Sequence, residues 1–384
     1  YVPTMFSPSL HKQRHEFVIN FVKENKPQKV VDLGCCECQL LKKLKFHRQM
    51  RLLVGVDING AQVKKHMHGL APLPSDYLQP REDELRVELY QGSVTQKDAR
   101  LRGFDLVTSI ELIEHLRLSG LSCFSEVVFG YMTPLTVIIS TPNSEFNSLL
   151  PGLKGFRHRD HKFEWTRAEF KSWALKVCQD YGYTVEFTGV GAAPPGQQEN
   201  IGFCSQIGVF HPSQVDFNRK FLSLTCLWFN YFFLLFYQLY SVNYPSLRDN
   251  NILRRVLVSE VMFWAENLKR RFMEKMADKK EDAEHQPDVG AGRGEESEGG
   301  CHNGSTEYSV LLCVSIPLAV LWICSPKISS LSGSLSNLRH FLIEDPQVKL
   351  NQDGSAVLVF ADLEEEDSVD LENSGEQFKP HQNV

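Results

Sequence analysis

Two carboxylates and an imidazole stand close together in the segment ELIEHL, where Glu111, Glu114 and His115 follow an apolar run. Residues three and four positions apart lie on one face of a helix, so Glu111 can share a face with the other two. Carboxylate oxygens with few imidazoles suit Mg²⁺ or Mn²⁺ better than a structural zinc ion. The segment therefore indicates a divalent metal site, and the alternative is a helix cap that lines a pocket and binds no metal.

A further ligand is expected from the segment FRHRDHKFEWTR (156–167), which offers His158 and His161. A lone loop histidine is usually a surface residue. Two histidines that flank Asp160 and precede a capped helix predict a lid over the same pocket. Basic residues of this lid could contact phosphates or could simply be solvated, and the candidates are Arg157, Arg159, Lys162 and Arg167.

Strand ends must position these residues. Near-continuous apolar runs alternate with helical patterns such as Gln39–Leu44 and Arg167–Tyr181, which predicts a largely parallel sheet with helices on both faces. In such folds, ligands bind at the carboxyl ends of the strands. Seven strands are predicted, at residues 29–34, 51–58, 85–93, 104–111, 135–142, 183–191 and 203–210.

Three of the strand ends carry residues that suit a nucleoside cofactor. Asp32 and Gly34 end the first run, Asp57 ends the second, and Ser93 follows the third. An acidic residue in the position of Asp57 typically accepts hydrogen bonds from ribose hydroxyls, although alone it could be a turn residue. A dinucleotide dehydrogenase is disfavoured because the full G-x-G-x-x-G pattern is absent. This order of features resembles the Rossmann-like fold of S-adenosylmethionine-dependent methyltransferases.

The first of these loops holds Cys35, Cys36 and Cys38 where glycines are expected. No partner cluster supports a zinc site, and the C-x-x-C spacing lacks a thioredoxin-like context. The methyltransferase pattern usually has glycine at the position of Cys36. Because a Cβ restricts any conformation with positive φ, we expect weakened cofactor binding and predict that Cys36→Gly tightens it.

The segments ELIEHL, STPNSEFN and DHKFEWTR together resemble the small-RNA 3′-terminal 2′-O-methyltransferase family of the animal type, which acts on PIWI-interacting RNAs. The resemblance covers roughly residues 10–210, and YPSL and VSIPLAVLW are similar to the family's C-terminal part. No region is similar to the double-stranded-RNA-binding part of plant members, which favours a single-stranded substrate.

This resemblance implies S-adenosylmethionine and Mg²⁺, or Mn²⁺, as cofactors. It also implies that a PIWI-type protein carries the RNA, and that the protein is cytoplasmic, in germ-cell ribonucleoprotein granules for example. The metal ligands and catalytic residues that it implies are Glu111, Glu114, His115 and His161. Asp57 and Ser93 would contact S-adenosylmethionine, and Asp32 and Gly34 would shape its loop.

Changes in amino-acid composition along the chain predict its domain boundaries. We predict a catalytic domain at 1–212, a helical extension at 213–276 with an apolar segment at 221–240, a disordered linker at 277–308, a small C-terminal region at 309–362 and an acidic tail at 363–384. The apolar segment is about long enough for a membrane span, but its polar residues and aromatic density argue against membrane association, which stays an alternative. A net charge of −6 argues against non-specific coating of nucleic acid. Because the chain begins at Tyr1 rather than methionine, we expect further residues upstream.

Two other functions remain open at this point. A metal-dependent small-molecule O-methyltransferase of the catechol type would also use two vicinal hydroxyls, although a basic lid suits a phosphate backbone better. A cofactor-fold protein with impaired catalysis could bind RNA or a partner without methylating it.

Overall fold

A computed structural model of the protein describes residues 6–213, 236–284 and 313–360. The chain divides into two compact units, Tyr1–Ile252 and Leu253–Val384. The first unit therefore extends beyond the predicted catalytic domain at 1–212.

The first unit is built on one eight-stranded sheet with the strand order β6-β7-β5-β4-β1-β2-β3-β8. Strands β1 to β5 run parallel to their neighbours within this group, whereas β7 and β8 pair antiparallel with β5 and β3. The strands are β1 Lys29–Leu33, β2 Leu52–Asp57, β3 Arg86–Gln91, β4 Leu106–Ile110, β5 Thr136–Pro142, β6 Tyr183–Ala192, β7 Phe203–Pro212 and β8 Tyr237–Asn243. The predicted Rossmann-like class is confirmed, and each of the seven predicted strands is present.

The sheet has a hydrophobic core on each face, as its near-continuous apolar strands predict. Along β1, Val30 packs into one core, and Val31 and Leu33 pack into the other. The covering helices are α1 Leu10–Asn25, α2 Gln39–Leu44, α3 Gly60–His66, α4 Pro74–Leu78, α5 Leu118–Ser125, α6 Arg167–Tyr181 and α7 Gln198–Ile201. Helix α6 begins with the capping box formed by Thr166 and Glu169.

The prediction of seven strands is wrong by one. Strand β8 lies within the range that was predicted as a helical extension, and it pairs antiparallel with β3. It overlaps the end of the apolar segment at 221–240, where the local pattern does not reveal that the edge of β3 is available for pairing. The rest of that segment, 221–235, lies outside the described residues. No helix in the described ranges is long and apolar enough to cross a membrane.

The second unit contains the long helix α8 Asn250–Glu284 for most of its length, and a two-stranded antiparallel sheet. Buried Leu257 and Val261 of α8 share a core with Leu321 and Leu338. Because α8 continues through Glu284, the predicted disordered linker does not begin at residue 277. Residues 285–308 of the linker and the acidic tail lie outside the described residues. The other elements are β9 Cys313–Pro317, α9 Leu318–Cys324, α10 Pro326–Ser332, α11 Leu335–Ile343 and β10 Ala356–Phe360.

Candidate active site

Asp57 joins the ends of β1 and β2. One of its carboxylate oxygens accepts a hydrogen bond from the backbone N–H of Cys36 at 2.8 Å, and the other accepts from Asn59 at 2.8 Å. Each carboxylate oxygen has two lone-pair positions, so both can still accept a hydroxyl donor. The carboxylate therefore fits the predicted contact with the cofactor ribose.

The loop after β1 adopts the left-handed conformation that the sequence pattern implied. Gly34 has φ +79° and Cys36 has φ +45°. A Cβ at Gly34 would lie 2.9 Å from the side chain of Leu112, which belongs to the ELIEHL segment. The cofactor loop therefore abuts the segment that carries the candidate catalytic residues, and Cys36 holds a conformation that favours glycine.

Asp32 lies beneath this loop and is only 5% exposed. Its carboxylate accepts a hydrogen bond from Thr108 on β4 at 2.7 Å. Burial raises the pKa of Asp32 to about 7, against the opposing effect of the Thr108 hydrogen bond. Asp32 thus ties two neighbouring strands together, which agrees with its predicted role of shaping the loop.

Ser93 follows β3, and its hydroxyl lies 2.7 Å from that of Thr95. The adjacent Gly92 is packed so closely that a Cβ there would lie 2.4 Å from the ring of Phe236. Phe236 is buried, and Arg100 donates a hydrogen bond to its carbonyl oxygen at 2.7 Å. Phe236 stands far along the chain in an apolar run, so the local pattern around Ser93 does not predict this contact.

Glu111 does not lie on a helix, so the expectation that it shares a helical face with Glu114 and His115 is wrong. It has φ +54°, and a short 3₁₀ turn begins only at Ile113. One carboxylate oxygen accepts hydrogen bonds from Ser205 at 2.5 Å and Ser140 at 3.0 Å, and the other lies 3.3 Å from Arg14. Strained backbone of this kind concentrates at functional sites.

Glu114 is completely buried. One carboxylate oxygen accepts a hydrogen bond from Thr141 at 3.0 Å, whereas the other has no hydrogen-bond partner among the described residues. Burial raises the pKa of Glu114 well above its usual value, and the nearby charge of Glu111 adds to this effect. A buried carboxylate oxygen without a partner is costly unless a proton or a cation compensates it.

Three histidines gather next to this carboxylate segment. The ligand nitrogens of His115, His158 and His161 all lie within 4.8 Å of one another. His161 is held by Glu164, whose carboxylate oxygen lies 2.5 Å from its Nδ1. Burial, followed by the charges of His161 and His158, lowers the pKa of His115. The family resemblance implies His161 alone as a ligand from this lid, whereas the structure brings both lid histidines to His115.

The lid segment is attached to the site through its backbone and through Arg157. The N–H of Lys162 donates to the carbonyl of Glu114 at 2.7 Å. The side chain of Arg157 donates to the carbonyls of Asn143 and Cys204. Its guanidinium is therefore engaged within the protein and is not free for the predicted phosphate contact.

The other basic candidates of the lid differ in whether their side chains are already bound within the protein. Arg167 pairs with Glu145 at 2.6 Å and donates to the carbonyl of Asn200. Arg159, in contrast, has a side chain that is 91% exposed and lies at a long distance of 3.9 Å from the carboxylate of Asp160, and Lys162 is also exposed. Arg159 and Lys162 therefore remain the candidates for contact with an RNA backbone.

The donor set fits a divalent cation, because it offers imidazole nitrogens and an unpartnered buried carboxylate oxygen. Of the four predicted ligands, His115 and His161 belong to the histidine cluster. Glu111 is paired with Arg14, and Glu114 lies in the same 3₁₀ turn as His115 but outside the cluster. The assignment of both glutamates as ligands stays a prediction.

Comparison with known proteins completes the description. Residues 251–361 match the family model described as the HENMT1 C-terminal domain. The small RNA 2′-O-methyltransferase of Xenopus tropicalis is 41% identical over 94% of this chain and 98% of its own length. The enzyme of the same name from Gallus gallus is 43% identical over 94% of this chain and 96% of its own length.

A solved structure supports the same relationship. The crystal structure described as small RNA methyltransferase HEN1 is 30% identical, with a TM-score of 0.52, over 64% of this chain and 28% of that chain. The relatives named above match almost end to end, and the sheet places the expected cofactor residues at its strand ends. The chain belongs to the small RNA 2′-O-methyltransferase family and is an S-adenosylmethionine-dependent methyltransferase.

Proposed function

We propose that this protein transfers a methyl group from S-adenosylmethionine to the 2′-hydroxyl of the 3′-terminal nucleotide of small single-stranded RNAs, in a Mg²⁺-dependent reaction that protects the RNA end. The substrates are PIWI-interacting RNAs delivered by a PIWI-type protein in the cytoplasm, for example in germ-cell granules. Family membership supports the RNA substrate. The observation that carries the metal-dependent part is the cluster of His115, His158 and His161 together with Glu114, the chain neighbour of His115, whose buried oxygen without a partner among the described residues is the kind of ligand that Mg²⁺ or Mn²⁺ prefers.

Glu114, His115 and His161 would hold the metal, with Glu111 completing the predicted set. When bound, Mg²⁺ lowers the pKa of a coordinated hydroxyl and orients it. The lowered pKa of His115 keeps this imidazole neutral near neutral pH, so its nitrogen lone pair is available to a metal or a proton. Glu164 fixes the ring of His161 through the contact at Nδ1, which leaves Nε2 free for the same purpose.

Selectivity for the RNA end follows from the hydroxyls that such a site recognises. Only the 3′-terminal ribose carries vicinal 2′- and 3′-hydroxyls, because the 3′-oxygen of an internal nucleotide is esterified to phosphate. Arg159 and Lys162 would contact the RNA backbone, since they are the exposed cations of the lid. Asp57 would bind the cofactor ribose.

The proposal is tested by methyl transfer to a short single-stranded RNA that ends in either a 3′-hydroxyl or a 3′-phosphate. We expect transfer only to the 3′-hydroxyl RNA, loss of transfer in EDTA, and recovery with Mg²⁺ or Mn²⁺. Equal methylation of both RNAs would refute the role of the terminal ribose. Full activity in EDTA would refute the role of the metal, and methylation of a catechol but not of RNA would favour a small-molecule enzyme.

Single substitutions test which residues are required as metal ligands. Glu114→Gln and His161→Ala should abolish transfer, because each removes a predicted metal ligand. The matched control Arg159→Ala should retain transfer at saturating RNA, because its side chain is exposed on the lid. His158→Ala decides whether the third histidine is required, and full activity of Glu114→Gln would overturn the metal assignment.

A further inference from the structure

A cavity of about 340 Å³ lies between helix α6 and the strands β6 and β7. Its size is within the range of small-ligand pockets, which begins at about 300 Å³. None of the residues assigned to the cofactor or the metal lines it. The lining residues that matter here are Phe170, Lys171, Phe187, Phe203 and Gln206.

Part of the cavity wall is aromatic and is formed by Phe170, Phe187 and Phe203. Phe187 is 41% exposed, although it is a large apolar side chain. Its ring meets the buried ring of Phe170 edge to face, with the ring centroids 5.9 Å apart. Phe187 is thereby packed against a buried ring while part of its surface stays exposed, which suits stacking of a planar ligand.

Gln206 in the cavity wall has a side-chain oxygen that can accept a hydrogen bond from a ligand. The carboxamide nitrogen of Gln206 donates to the carbonyl of Pro142 at 3.1 Å and to that of Trp165 at 3.0 Å. Both of its hydrogens are therefore used, and the residue is only 5% exposed. The two bonds fix the orientation of the amide, and its oxygen has no hydrogen-bond donor among the described residues. Gln206 thus presents a fixed acceptor for an N–H group.

The charges around the cavity are positive. Arg167 and Lys171 line it, and no carboxylate does so within the described part of the chain. Arg167 is paired with Glu145, whereas Lys171 is exposed and pairs with no described side chain. An anionic ligand with a planar, hydrogen-bonding ring fits this combination, and a nucleotide has these properties.

The cavity is close to the candidate active site in the sheet. Gln206 on β7 is the register partner of Thr141 on β5, and the hydroxyl of Thr141 donates to Glu114. Strand β4, which leads into the ELIEHL segment, lies on the other side of β5. Two strand spacings of about 4.8 Å separate β7 from β4, so Gln206 in the cavity wall and the residues that lead into the ELIEHL segment lie on strands about 10 Å apart. A ligand bound at the metal site could extend into it.

We propose that this cavity binds the base of the nucleotide that precedes the methylated 3′-terminal nucleotide. The base stacks on Phe187 and donates an N–H hydrogen bond to Gln206, and Lys171 contacts the adjoining phosphate. Every base has a π-face and an N–H donor, so the subsite tolerates different sequences. The inference rests on the proposed function, because it takes the 3′-terminal ribose to lie at the metal site.

The test measures binding of 5′-labelled single-stranded RNA to the full chain by fluorescence anisotropy. One RNA is intact, one is abasic at the nucleotide before the 3′ end, and one is abasic at an interior nucleotide. Stacking on an aromatic side chain corresponds to a change of about fivefold to a hundredfold in affinity. We expect Phe187→Ala to weaken, by this factor, binding of the intact RNA and of the RNA that is abasic at an interior nucleotide. Binding of the RNA that is abasic at the nucleotide before the 3′ end should not change.

Three further variants control the interpretation. Phe187→Tyr keeps the ring and should bind the intact RNA like the wild type. Phe46→Ala removes an aromatic ring that is 60% exposed elsewhere in the first unit, and it should have no effect. Lys171→Ala should weaken all three RNAs alike and reduce the salt dependence of binding.

The outcomes distinguish this inference from the proposed function. If Phe187→Ala binds all three RNAs like the wild type while 3′-terminal methylation persists, the subsite is refuted and the function stands. If the loss follows the interior abasic nucleotide instead, the assignment to the penultimate base is wrong. If terminal methylation itself is absent, the proposed function fails, whatever Phe187→Ala does to binding.

Discussion

Replacement of Cys36 by glycine tests whether the cofactor loop is strained. Cys36 has φ +45°, in the left-handed region, and its N–H donates to the carboxylate of Asp57. Glycine can keep both the conformation and this hydrogen bond, because it lacks only the Cβ. The side chain of Cys36 is exposed, so its removal leaves no cavity in the core.

The expected gain follows from two opposing contributions. The left-handed conformation costs an L-residue about 1–2 kcal/mol, which glycine avoids. Glycine in turn raises the conformational entropy of the unfolded chain, which opposes folding by about 0.4–1 kcal/mol. The free energy of unfolding of Cys36→Gly should therefore rise by about 0.5–1 kcal/mol. In a unit of this size, that gain corresponds to an increase in Tm of roughly 1–4 °C.

The effect of Cys36→Gly on affinity for S-adenosylmethionine is separate from its effect on the free energy of unfolding. Strain that is present both with and without S-adenosylmethionine cancels in the binding equilibrium, so strain alone does not weaken binding. Tighter binding by Cys36→Gly, as predicted from the sequence, requires that the Cβ crowds the bound cofactor. Urea denaturation and calorimetric titration of S-adenosylmethionine therefore report two different effects of one substitution.

Cys36→Ala is the matched control, because it removes the sulfur but keeps the Cβ. We expect its stability and its affinity for S-adenosylmethionine to equal those of the wild type. If Cys36→Ala and Cys36→Gly were equally stable, the strain at this position would be refuted. If both variants bound the cofactor with the affinity of the wild type, the crowding would be refuted.

Three further predictions follow from contacts in the first unit. Folded Asp32 keeps its proton up to about pH 7, whereas unfolded Asp32 loses it near 3.8, so the wild type should lose stability as pH rises between these values. Between pH 5 and pH 8 the loss should be roughly 3 kcal/mol, because about two pH units of this range lie below the folded pKa at about 1.4 kcal/mol per unit, and Asp32→Asn should lack this loss in urea denaturation at the two pH values. Asp57→Ala should weaken S-adenosylmethionine binding about tenfold to a hundredfold in calorimetry, because charged hydrogen bonds contribute about 1.5–3 kcal/mol; unchanged affinity would remove Asp57 from the cofactor site. Arg157→Ala should destabilise the fold by about 3 kcal/mol, whereas Arg159→Ala should leave Tm unchanged and weaken only RNA binding, and equal melting of the two variants would contradict the assigned contacts.

Much of the fold was predictable because its signals are local. The apolar runs that became the strands have the length and continuity of buried parallel strands, and the runs predicted at 29–34 and 135–142 agree with β1 and β5 to within one residue. Thr166 and Glu169 predicted the start of α6, because a capping box is formed by residues three positions apart. The left-handed conformation at Cys36 was likewise implied by its place in a glycine-type loop.

The errors concern contacts between distant parts of the chain. Strand β8 was missed because its pairing depends on the free edge of β3. The helical face assumed for Glu111 was wrong because Arg14, Ser140 and Ser205 hold its carboxylate beside a left-handed backbone. Nothing in the spacing of ELIEHL could have revealed these partners.

The amino-acid sequence alone determined the order of the elements, the residue types at the strand ends and the family, since each is encoded in short contiguous segments. The tertiary structure determined which of those side chains are available for chemistry. In the folded chain, Arg157 is hydrogen-bonded within the protein, whereas Arg159 is exposed. His158 belongs to the histidine cluster, and one oxygen of Glu114 has no partner among the described residues. The physical reason is that hydrogen-bond partners and burial depend on distances between residues that are far apart in the chain, and a local pattern does not specify such distances.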